Sequence, residues 1–151
     1  QELGYPNFLV EVGGELAARG HRFDSTPWRV GIERPDSESR TVFQVVPLRD
    51  RAMATSGDYR IFRMLEAGRI SHIIDPRNGV PVPHNLASVT VLHESAAMAD
   101  ALATALSVMG PEEGLAWVEA RDIVALFISR GSDGSLEPTA SSAYERYMAG
   151  S

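Results

Sequence analysis

Apolar positions in the first ninety residues come in short runs broken by glycine, proline and polar turns, a pattern that predicts strands. Phe8 to Val12 reads as one strand, interrupted by Gly13-Gly14 and resumed over Glu15 to Gly20. Paired glycines inside strand-like sequence suggest a bulge, or a place where backbone approaches a ligand closely. Trp28 to Glu33 alternates like a half-buried strand, and a turn cluster at Arg34 to Ser39 separates it from the β-branched run Thr41 to Leu48. Arg51 to Ser56, Asp58 to Glu66 and Gly68 to Ile74 read as further short strands, and Ala87 to Leu92 as another. Between them, Asp75 to Pro83 holds three prolines. Fixed φ angles and missing donors exclude a helix or a central strand there.

The period changes after Ser95, a good N-cap. Ala96 to Met109 is rich in alanine and leucine and predicts a helix, with Met98, Leu102, Leu106 and Met109 as its core face. Gly110 ends it, and Pro111-Glu112-Glu113 opens a second helix with proline first and acids in the first turn. Ile123 to Ile128 predicts a strand, Ser132-Asp133-Gly134 a turn, and Ala143 to Met148 a short helix. The fold class is therefore α+β: mostly antiparallel short strands, a helix pair and a C-terminal helix, rather than alternating βαβ units.

Composition narrows the chemistry. The 151 residues suffice for one compact core. No apolar run approaches the roughly 18 residues that span a bilayer. Gln1-Glu2-Leu3-Gly4 has neither the basic nor the apolar region of a signal peptide. The absence of cysteine excludes disulfides, thiolate metal sites and cysteine nucleophiles. All 14 basic residues are arginine, so Schiff-base and P-loop lysine chemistry is excluded. A net charge of −6 with no basic stripe argues against nucleic acid as a partner. An acidic protein that handles a pyrophosphate needs cations or local donors to offset repulsion.

Four places could carry chemistry. In Ser71-His72-Ile73-Ile74-Asp75-Pro76-Arg77-Asn78-Gly79, a histidine at a strand end precedes a stiff Asp-Pro turn. His72 could take a proton from a hydroxyl near neutral pH; the plainer reading is a histidine satisfied by a carbonyl, with Asp75 capping the turn. Asp100 and Thr104, at i and i+4, share one helical face. They offer two hard oxygens suited to Mg²⁺ or Ca²⁺, or else a solvated Asp beside a Thr bonded to its own helix. Ala54-Thr55-Ser56-Gly57-Asp58-Tyr59 either presents backbone N–H groups to an anion or forms a plain turn. Gly13-Gly14 is the fourth. His21, His84 and His93 read as surface or structural, and Trp28 and Trp117 as packing residues.

Taken in order, Val10-Glu11-Val12-Gly13-Gly14-Glu15, Trp28 to Ile32, Ala54 to Tyr59 with Ser71 to Pro76, and Ala99 to Gly110 carry a resemblance to the ApbE family of flavin transferases, once described as thiamine biosynthesis lipoproteins. The resemblance covers nearly the whole chain. It implies that residues 1–151 are the C-terminal portion of the family's domain, the other half lying upstream. It implies binding of FAD and a divalent metal such as Mg²⁺, and attachment of FMN through a phosphoester to a Thr or Ser of an acceptor flavoprotein, with release of AMP. Asp100 and Thr104 would hold the metal. His72 would activate the acceptor hydroxyl and contact FAD, Asp75 would shape the loop or orient His72, and Gly13, Gly14, Ser56 and Gly57 would line the FAD site. Extracytoplasmic work, with membrane anchoring through an upstream segment, is also implied. Asn78 stands where the family usually has threonine. Metal-dependent hydrolysis of FAD to FMN and AMP uses the same residues, and a non-catalytic flavin-binding or assembly module is the remaining alternative.

Overall fold

The computed structural model describes residues 4–36, 41–58, 62–65, 68–71 and 73–150. Its frame is a six-stranded antiparallel sheet of β1 (Phe8–Val12), β2 (Glu15–Arg19), β5 (Ala52–Gly57), β10 (Leu86–His93), β11 (Val124–Arg130) and β12 (Leu136–Ala140), in that spatial order. Two elements pair by themselves before β5: β3 (Trp28–Glu33) and β4 (Val42–Leu48) form a separate antiparallel hairpin. β6 (Phe62–Leu65) pairs with β7 (Gly68–Ser71). β8 (Ile74–Asp75) pairs with β9 (Val80–Pro81) as a two-rung hairpin around the proline loop, away from the central strands as its prolines require. The three helices are α1 (Ala96–Met109), α2 (Pro111–Glu119) and α3 (Ser142–Ala149).

Strand alternation divides the sheet into two faces, each with its own core. On one face, Val89 and Val91 of β10 and Ala125 and Phe127 of β11 pack under α1 and α2 through Ala103, Leu106 and Val118. On the other, Met53, Leu92, Leu126 and Ile128 meet Val30, Ile32, Val46 and Leu48 of the β3–β4 hairpin, with Ala143 and Tyr144 of α3. Each fully buried Val, Leu or Phe in these layers contributes ~1.5–3 kcal/mol of apolar transfer free energy.

Local chemistry explains the elements. The Ser95 hydroxyl accepts from the Met98 N–H and caps α1. Gly110, at φ 84°, lets α1 stop and α2 begin without a linker, and Pro111 occupies the first position of α2. The buried seam of α1 runs through Ala99, Ala103, Leu106 and Ser107. Met98 is 47% exposed, so the expected core face is corrected at its first member. Small alanines let the helix sit close to β5 and β10, and the seam they set leaves Met98 outside. The Ser141 hydroxyl donates to the Ile123 carbonyl and accepts from the Ala125 and Tyr144 N–H groups, joining α3 to β11.

Gly13-Gly14 separates two strands, as expected, but as a turn rather than a bulge. Val12 pairs with Glu15, and the two glycines at φ 68° and 113° form the two-residue turn of the β1–β2 hairpin. Positive φ at both central positions is what such a turn demands.

Candidate active site

Site residues gather around the C-terminal end of β5, where successive side chains leave by opposite faces of the sheet. Ser56 goes toward α1. Its hydroxyl lies 3.3 Å from that of Thr104, joining two segments 48 positions apart in sequence. One turn earlier, Asp100 lies on the exposed side of the same helix as Thr104. Two hydroxyls thus meet where α1 lies on β5, with Asp100 one turn away on the same helical face as Thr104.

The other face holds a cleft of about 620 Å³, within the size range of small-molecule sites. Gly13 and Gly14 form part of its rim, Gly57 and Thr55 line it from β5, and Arg29, Gly31 and Glu33 line it from β3. The expected glycines are therefore brought together, but on the opposite side of the strand from Asp100 and Thr104. Among the described residues, Glu11, Glu15, Glu33 and Arg29 also line the cleft.

Strand pairing runs through the segment expected to form a turn, of which Tyr59 lies outside the described residues. Ala54 to Gly57 belong to β5 and pair with β10, and the Asp58 N–H donates to the Ala87 carbonyl at 3.0 Å. Strand pairing has taken groups that a turn would have left open.

Asp75 sits in the β8–β9 hairpin and is buried. Its carboxylate accepts from the Arg77 N–H at 2.9 Å and from Arg77 Nε at 2.9 and 3.0 Å. The Arg77 side chain and N–H hold the Asp75 carboxyl below the usual carboxylate range. Arg77 also reaches Glu113, tying the loop to the first turn of α2. Asn78 fits the turn: its side-chain oxygen accepts from the Val80 N–H, and Gly79, at φ 74°, donates to the Asp75 carbonyl. Asp75 therefore shapes this loop. His72, the expected base, lies outside the described residues.

Of the other histidines, His21 and His93 bond backbone groups, while both ring nitrogens of His84 are buried without a hydrogen-bond partner among the described residues. His21 bonds the Arg22 carbonyl, His93 accepts from the Ser95 N–H, and His84 packs against Gly110 where α1 meets α2. Trp28 and Trp117 pack against the two cores as expected.

Among the described residues, no three His, Cys, Asp or Glu groups converge to form a metal cage. Asp100 with the hydroxyls of Thr104 and Ser56 is nonetheless a hard-oxygen donor set. It fits a cation that keeps waters and takes its remaining ligands from a bound phosphate, as Mg²⁺ does.

A model of the ApbE family matches residues 1–128. The chain belongs to the ApbE family. Among ApbE relatives, the FAD:protein FMN transferase of Vibrio cholerae serotype O1 is 45% identical over 142 residues, covering 94% of this chain and 42% of the relative. That of Escherichia coli K12 is 39% identical over 133 residues, covering 88% and 38%. The apo flavinyl transferase ApbE of Pseudomonas stutzeri superposes with a TM-score of 0.85 at 41% identity, over 97% of this chain and 45% of that one. The ApbE protein of Thermotoga maritima does so at 0.76 and 30%, over 94% and 45%. The chain spans less than half the length of each of these ApbE proteins.

Proposed function

We propose that this chain forms part of an FAD:protein FMN transferase. The enzyme would attach FMN through a phosphoester to a Thr or Ser of an acceptor flavoprotein and release AMP. The relatives' names support flavin transfer. The observation that carries the reading to residues is the meeting of Ser56 with Thr104, which shares a helical face with Asp100.

In this reading, the FAD diphosphate lies at the α1–β5 contact, and an uncharged ring system enters the glycine cleft around the end of β5. The acidic lining of the cleft supports that division. A divalent cation bound by Asp100, Thr104 and Ser56 would neutralise diphosphate charge and polarise the bond to be broken. Thr104 and Ser56, fixed by helix and strand, would orient the phosphates. The acceptor hydroxyl oxygen attacks the phosphorus of the FMN half as the bond to AMP breaks. The hydroxyl proton passes to His72, and AMP leaves as the anion. Asp75, committed to Arg77, holds the loop that follows His72.

The test is incubation of a full-length form carrying this sequence with FAD, Mg²⁺ and an acceptor flavoprotein. Covalent flavin on the acceptor with stoichiometric AMP is the expected result. Free FMN and AMP without labelled acceptor would replace transfer by hydrolysis, and neither product would overturn the reading.

A further inference from the structure

The β3–β4 hairpin supplies one wall of the glycine cleft, yet it pairs with no strand of the six-stranded sheet. Side-chain hydrogen bonds among the described residues fasten it at both ends. Trp28 Nε1 donates to the Arg19 carbonyl at 3.0 Å, and the Tyr147 hydroxyl to the Pro47 carbonyl at 2.6 Å. Trp28 pairs with Leu48, so both of these lie at one end of the hairpin. Another lies at the other end, where Arg130 of β11 donates to the carbonyl of the fully buried Pro35 at 3.1 Å.

Arg130 does more than reach Pro35. Its guanidinium grips the Asp58 carboxylate with both terminal nitrogens, at 3.0 Å to Oδ2 and 2.8 Å to Oδ1. The Asp58 side chain is 10% exposed and that of Arg130 22%. Asp58 directly follows Gly57, and Pro35 comes two residues after Glu33; Gly57 and Glu33 line facing walls of the cleft. One guanidinium therefore joins the ends of both walls, across the width of β10.

We propose that the Arg130–Asp58–Pro35 clasp is a positioning device that sets the separation of β3 from β5, and so the affinity of the cleft for the flavin dinucleotide. The inference rests on the reading of the cleft as part of the FAD site. The hairpin rests on the second core through Val30, Ile32, Val46 and Leu48 and is held at its far end by Trp28 and Tyr147, and Arg130 fixes its near end. Arginine is required because lysine, a single compact charge, cannot grip a carboxylate with two nitrogens while bonding a second carbonyl.

The test compares the full-length protein with Arg130→Lys and with the double variant Arg130→Met/Asp58→Leu. Replacing both partners with apolar groups of similar size is better tolerated than removing one of them. FAD binding is read by quenching of flavin fluorescence, folding by thermal melting, and catalysis by the dependence of FMN transfer on FAD concentration. The double variant should melt near the parent, bind FAD about ten-fold more weakly and raise KM for FAD with little change in kcat, the pattern of lost uniform binding. Arg130→Lys should fold and fall in between. Unchanged FAD affinity in a folded double variant, with a parent that binds, overturns the clasp alone. A parent that neither binds FAD nor transfers FMN overturns the functional reading, and the clasp's role with it.

Discussion

Asp75 illustrates what single residues contribute and how far they could be read. Asp-Pro-x-Asn-Gly announces a rigid turn, and Asp75, Asn78 and Gly79 each make the turn contact their chemistry favours. The role of Arg77 was not legible, because an arginine two residues from an aspartate has many other places to go. Its grip depresses the Asp75 carboxyl. A carboxyl depressed in the folded state lends stability that is complete above its unfolded value and fades as pH falls through the folded one. Amide exchange at Gly79, whose N–H bonds the Asp75 carbonyl, should therefore stay protected near neutrality and lose protection below about pH 4. In Asp75→Asn that acid-dependent loss should vanish; an identical pH profile in the variant would show that another group governs the loop. The clasp at Arg130 was hidden for the same reason: Asp58 and Arg130 are 72 positions apart, and nothing local pairs them.

Elements were more legible than contacts. Helix boundaries followed from Ser95, Gly110 and Pro111, since caps and breakers act on their immediate neighbours. β12 was missed because Leu136-Glu137-Pro138-Thr139-Ala140 shows no apolar alternation and contains proline. As an edge strand beside β11, it needs neither a second apolar face nor a full set of donors. Gly13-Gly14 was legible as special but not as a turn, because a bulge and a hairpin both select glycine. The α2–sheet contact makes a prediction of its own. A Cβ on Gly114 would stand 2.9 Å from Cε1 of the fully buried Phe127. Alanine gains up to ~1 kcal/mol of helix propensity, but overpacking costs ~1–3 kcal/mol, so Gly114→Ala should be net destabilising. Thermal melting should show a drop of about 2–4 °C for each kcal/mol lost; an unchanged or raised midpoint would mean that Phe127 yields freely.

At the scale of the whole molecule, one strand end organises the site. β5 sends Ser56 to the helix face and Gly57 to the cleft, so Ser56, Asp100 and Thr104 lie on one side of the sheet and Gly13, Gly14 and Gly57 on the other, with Asp75 apart in the β8–β9 loop. The i, i+4 spacing of Asp100 and Thr104 was visible in sequence. That Ser56 would join them was not, since that depends on how α1 lies across β5. In the proposed reading the two sides do different work, with hard oxygens for the diphosphate on one and an acidic cleft for uncharged rings on the other. The family model and the superposition on ApbE structures agree with the α+β class read from the pattern of short strands. In the proposed reading, Asp100 and its hydroxyl neighbours would hold the cation that makes flavin transfer possible. The direct measurement is the rate of FMN transfer across a Mg²⁺ titration for the full-length protein and for Asp100→Ala. Loss of a carboxylate ligand should weaken apparent Mg²⁺ affinity or lower the saturated rate by on the order of 100-fold or more. A variant with the parent's Mg²⁺ dependence and rate would contradict the account.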